Sequence, residues 1–168
     1  MNAWNLGTVF GIRIRIHWTF LLLPLWIFSS AVLGGVGISS AISTLIFVFA
    51  IFGCVLLHEL GHALAARQFD IPTRDITLLP IGGVASLERM PRNPWQELWI
   101  ATAGPLVNVV IAIVLLLGLL LSAGSQPFLL QLAYANIALV VFNLIPAFLM
   151  DGGRILPSTL ALFLDWLV

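Results

Sequence analysis

Two histidines and the glutamate beside them are the residues of this chain best placed to do chemistry. In residues 51–67, IFGCVLLHELGHALAAR, a wholly apolar segment runs unbroken into His58-Glu59-Leu60-Gly61-His62. On a helix, residues four apart share a face about one turn apart. Two imidazoles so placed can bracket one zinc ion, with the intervening Glu beside the open coordination position as general base. An ionisable cluster inside a membrane-grade apolar run is expensive and marks a functional site. The bland alternative is a set of hydrogen-bonded polar groups in a helix bundle; the spacing is rare by chance, more so with only three His and three Glu in the chain.

A catalytic zinc takes three protein ligands and keeps one position for water, so a third ligand must come from elsewhere. The single Cys54 excludes an intramolecular disulfide and a cysteine cage. Cys54 faces the same way as His58 but lies about 6 Å further along the axis, and reads as a small apolar packing residue. His17 beside Trp18 reads as an interfacial histidine. Glu88 and Glu97 flank a charged loop as solvated carboxylates, and Asp70 and Asp75 lie just past the helix. Asp151 stands apart: it follows an apolar span, opens an Asp-Gly-Gly turn and is followed by Arg154. Its alternative role is the N-cap of the next helix. With that carboxylate, His58, His62 and Asp151 plus an open position make a hydrolytic zinc site. Asn108 and Asn143 lie in apolar spans, where they either bond between helices or position a substrate carbonyl or its oxyanion. Gly104-Pro105 reads as a packing kink.

The elements that must hold these groups are membrane elements. Of 168 residues, 61% are hydrophobic and 8% charged, with a mean hydropathy of +1.11; a soluble domain carries about a quarter charged residues. The expected architecture is an all-α polytopic membrane protein, one core over residues 1–168. It has four full transmembrane helices, at about 17–33, 41–66, 97–121 and 128–145, and a partial fifth from Ile155, short of the roughly 20 residues a span needs. Pro24 predicts a kink in the first span. A small β-hairpin-like element is expected between the second and third helices, around Pro80 and Gly82-Gly83. The alternating IRIRIHW near the N-terminus suggests a strand or interfacial segment.

The chain has no Lys, and its cations are Arg13, Arg15, Arg67, Arg74, Arg89, Arg92 and Arg154. With the N-terminus cytoplasmic, all of these fall on the cytoplasmic side and the opposite turns carry no charge, as the positive-inside rule requires. His58 then lies roughly 13 Å and His62 roughly 7 Å along the helix from Arg67, inside the bilayer near its cytoplasmic face. No basic patch of nucleic-acid type is present.

These residues resemble the site-2 protease family of intramembrane zinc metalloproteases. HELGH at 58–62, PIGGVASLE at 80–88, AGPLVN at 103–108 and NLIPAFLMDGG at 143–153 occur in the family's order, after a GIRIRIHWTF opening. The chain is most similar to the prokaryotic subgroup that often adds C-terminal CBS domains. It departs at Leu149, where the pattern has Pro, and in ending before the family's usual further helices. The resemblance implies hydrolysis of peptide bonds in membrane-anchored protein substrates, in a prokaryotic cytoplasmic membrane. It implies one zinc held by His58, His62 and Asp151, with Glu59 activating water. Gly82 and Gly83 would meet an unwound substrate by strand addition, with Asn108 and Asn143 as further substrate or oxyanion candidates. A homo-oligomer is compatible with the sequence. The rival readings are a membrane HExxH protease with Glu97 as third ligand, a non-catalytic zinc-binding membrane protein, carrier or channel, and a catalytically silent substrate-binding relative.

Overall fold

Alternation and apolar run divide the chain into two kinds of element. The computed structural model describes residues 3–35, 37–89, 91, 93–122, 126–145 and 151–167. The alternating N-terminal residues form β1 (Ala3–Val9) and β2 (Ile12–His17), an antiparallel hairpin. Its turn residues Phe10 and Gly11 have φ of 51° and 84°, the left-handed pair that matches strand twist in a two-residue hairpin. A 3-10 turn, Trp18–Leu21, leads into α1 (Leu22–Leu33). The long apolar run becomes α2 (Ile38–Arg67), and β3 (Thr73–Leu79) and β4 (Gly82–Leu87) follow as a second antiparallel hairpin. Then come α3 (Pro94–Leu121), α4 (Pro127–Leu144) and α5 (Gly152–Leu167).

The expected hairpin between the second and third helices is present, and the alternating N-terminal segment adds a second hairpin to it. Four strands form one sheet in the order β1-β2-β3-β4. The two hairpins join through a parallel pairing of β2 with β3, Arg13 opposite Asp75 and Ile14 opposite Ile76. Parallel neighbours need a long crossover, and here α1 and α2 supply it. Asp75 is buried between Arg15 at 3.5 Å and Arg13 at 4.0 Å, which ties the two hairpins across the seam.

Among the described residues, three helices are long and apolar enough to cross a membrane: α2, α3 and α4. The first expected span is shorter, an apolar helical stretch over Trp18–Leu33. Pro24 lies in the first turn of α1, just after the change from 3-10 to α geometry. In α3, Pro105 lies inside the helix.

The sheet packs on the C-terminal half of α2. Ile12, Ile14 and Ile76 form a buried cluster with Leu60 and Ala63, and Phe20, Phe52 and Leu78 form another. On its other side α2 meets α3 closely: a Cβ on Gly61 would stand 2.7 Å from Val107 Cγ2 and 3.0 Å from the Ala103 carbonyl oxygen. Small residues allow such approach between membrane helices. The turn of α2 that carries the two histidines is therefore held between a sheet and a helix, which fixes its rotation.

Candidate metal centre and active site

His58 and His62 present their Nε2 atoms to each other at 3.0 Å. Asp151, 93 residues after His58, brings Oδ2 to 3.2 Å from each of them. His62 Nδ1 lies 2.7 Å from the carbonyl oxygen of Ile100. A carbonyl only accepts, so Nδ1 carries the proton and Nε2 turns its lone pair inward. This is how proteins orient a metal-binding imidazole. His58 is buried, and its Nδ1 has no hydrogen-bond partner among the described residues.

The three inward atoms are two nitrogens and one oxygen, a set that suits zinc with one position open. Bonds of about 2.0–2.1 Å to a tetrahedral ion give ligand separations of about 3.3 Å, close to the 3.0–3.2 Å found between these donors. These residues fit the metal.

Asp151 serves two parts of the fold with different atoms. Its carbonyl oxygen accepts the N–H groups of Arg154 at 2.9 Å and Ile155 at 3.0 Å, opening α5. Its carboxylate turns away toward the histidines. Gly152 has no room for a side chain against the carbonyls of Leu144 and Ile145, so the chain enters α5 tight against the end of α4. Pro146 and Leu149 lie outside the described residues.

Next to the donors is a cavity of about 290 Å³. His58, Glu59, Gly82, Gly83, Asn108, Asn143 and Asp151 all line it. A Cβ on Gly83 would stand 2.6 Å from Glu59 Cγ and 3.2 Å from Oε1, so the β4 backbone lies directly against the glutamate side chain. Asn143 donates from Nδ2 to the Leu139 carbonyl at 3.0 Å. Asn108 is fully buried, with neither side-chain polar atom partnered.

Other candidates lie elsewhere. Glu97 binds Arg154 Nε at 3.0 Å and accepts from Ser158 Oγ at 3.2 Å, both on α5, and is not among the grouped donors. Cys54 is a buried free thiol that accepts from Asn136 Nδ2 at 3.4 Å. His17 uses Nδ1 on Thr19, at 2.7 Å from its hydroxyl. Asp75 is held by the arginines of β2.

Three contributions were missed at the sequence level. The Ile100 carbonyl orients His62, Glu97 clamps α5, and Gly104 makes room for the His62 ring, against whose Nε2 a Cβ would collide. A backbone carbonyl leaves no mark in a sequence, and a glycine shows its lack of a side chain but not the ring that fills the space.

Known proteins resemble this chain over most of its length. Residues 46–127 and 118–164 match the model of Peptidase family M50. A zinc metalloprotease of Methanocaldococcus jannaschii is 40% identical over 160 residues, covering 94% of this chain and 45% of that protein. Stage IV sporulation protein FB of Bacillus subtilis is 31% identical over 103 residues, 61% of this chain and 36% of that one. The chain thus spans less than half the length of these curated relatives. The solved structure of the site-2 protease from Methanocaldococcus jannaschii superposes with a TM-score of 0.75 at 38% identity, covering 95% of this chain and 72% of that one. The chain belongs to Peptidase family M50, the site-2 proteases.

Proposed function

We infer that this protein is an intramembrane zinc metalloprotease that cuts membrane-anchored proteins near the cytoplasmic face. One observation carries the reading: His58, His62 and Asp151 converge within 3.2 Å of one another on a cavity that Glu59 lines. In this reading these three residues hold one zinc. Bound there, zinc supplies Lewis-acid activation of water and of the scissile carbonyl. Glu59 accepts the proton of the attacking water and delivers it to the leaving nitrogen as the C–N bond breaks.

Substrate enters extended. A helical peptide group has its carbonyl already bonded and shielded, so the substrate must unwind before cleavage. β4 is an edge strand of the sheet, and its Gly82-Gly83 end faces Glu59. That edge supports strand addition of an unwound segment, with Asn108 and Asn143 reaching the same cavity.

The orientation rests on charge. Arg67 ends α2 and donates to the Phe10 carbonyl, while Arg13 and Arg15 lie on the same sheet and Arg89 reaches the Asp70 carbonyl. This arginine-rich end faces the cytoplasm, with the N-terminus on that side. Trp18–Leu33, with Leu22, Leu25 and Trp26 exposed, completes the membrane core of residues 1–168 as a fourth inserted segment.

The test is cleavage of a membrane-anchored reporter by wild type and Glu59→Gln, with zinc measured in both. Cleavage lost and zinc retained is expected. Cleavage that survives Glu59→Gln would sink the mechanism, and a zinc carrier would cleave in neither case.

A further inference from the structure

The amide of Asn108 is fully buried, lines the active-site cavity and has no partner for Nδ2 or Oδ1 among the described residues. Buried polar groups are nearly always paired, and an orphan needs a reason. The asparagines of α4 are used differently. Asn143, on the same cavity, spends Nδ2 on the Leu139 carbonyl. Asn136 donates to Leu132 and Cys54. Only structural neighbours occupy those donors, whereas Asn108 keeps both of its own.

Its place on α3 is also informative. Ile100, Gly104 and Asn108 follow at four-residue spacing and so share one helix face. Ile100 orients His62 and Gly104 admits its ring. The same rigid face therefore carries the Asn108 amide to the cavity, roughly 6 Å beyond Gly104 along the axis.

We propose that Asn108 is a catalytic residue: its Nδ2–H donates to the scissile carbonyl oxygen and stabilises the charge that develops there, while Oδ1 accepts a main-chain N–H of the substrate. This rests on the hydrolase reading above. The side chain moves no proton; it offers one acceptor and a donor pair, the complement of a peptide group freed from its helix. A donor buried in the protein and aimed at a developing oxyanion acts more strongly than one spent on bulk solvent. Recognition is then through the substrate main chain, indifferent to side chains and dependent on unwinding.

The experiment uses the full chain in lipid nanodiscs and single-span reporters with Gly or Asn at the cytoplasmic end of the span. Wild type, Asn108→Leu, Asn108→Ala and Glu59→Gln are compared for kcat, KM, zinc content and thermal midpoint. Asn108→Leu and Asn108→Ala are expected to lose about 100- to 1,000-fold in kcat with little change in KM and zinc retained. Asn108→Leu is expected to melt no lower than wild type, because an apolar isostere removes an unpaired buried amide. Cleavage by Asn108→Leu within a few-fold of wild type overturns the proposal. So does loss of zinc or of fold in both Asn108 variants, which assigns the residue a structural role. If wild type cuts no reporter, or Glu59→Gln cuts as wild type does, the hydrolase reading fails first and Asn108 with it.

Discussion

Gly104 of α3 lies against the imidazole of His62, in a space that even a methyl group would take from Nε2. The imidazole on α2 is therefore shaped by a residue on α3.

Gly104→Ala should push the His62 ring out of line with Asp151 and weaken zinc binding. Changes to groups that orient a metal ligand typically cost about 10- to 100-fold in affinity. Competition against a chelator of known affinity measures it, and wild-type affinity in the variant would show that the ring has another way to sit.

Gly83→Ala acts on the other partner. Its Cβ would stand 2.6 Å from Glu59 Cγ, so the carboxylate or the β4 edge must move. A fall in kcat of at least about tenfold, equivalent to about 1.4 kcal/mol, is expected with zinc content unchanged. Equal loss of zinc and activity would mean that the sheet, not the glutamate, had been disturbed.

The Glu97–Arg154 pair, 3.0 Å long and about one-third exposed on each side, fastens α5 and with it the approach of Asp151. Glu97→Arg and Arg154→Glu alone should each weaken zinc retention, and the double exchange should restore part of it. A coupling of about 1 kcal/mol or less is expected for a pair this exposed. If the double variant is no better than the singles, the pair does not position α5.

Cys54→Ala should keep one zinc and wild-type cleavage. The thiol faces Asn136 on α4 and is packing, not ligand. Loss of zinc in this variant would reopen the identity of the third donor.

How much of this could be read beforehand depends on sequence separation. His58, Glu59 and His62 were legible because helix geometry alone puts a four-residue spacing on one face. The β3–β4 hairpin was legible for the same local reason, an apolar β-type run broken at Pro80-Ile81. The β2 alternation showed a strand but not its partner: pairing Arg13 with Asp75 depends on α1 and α2 returning the chain to the same place. Asp151 was singled out by its turn and by Arg154, while its distance from His58 needed three dimensions. The Ile100 carbonyl had no signal at all, since any residue there supplies the same oxygen.

Zinc K-edge X-ray absorption on the full chain in nanodiscs tests the metal centre most directly. The expected result is a first shell of nitrogen and oxygen at about 2.0–2.1 Å with the outer-shell pattern of two imidazoles, and no sulfur near 2.3 Å. A sulfur scatterer, a third imidazole or a protein that retains no zinc would contradict it.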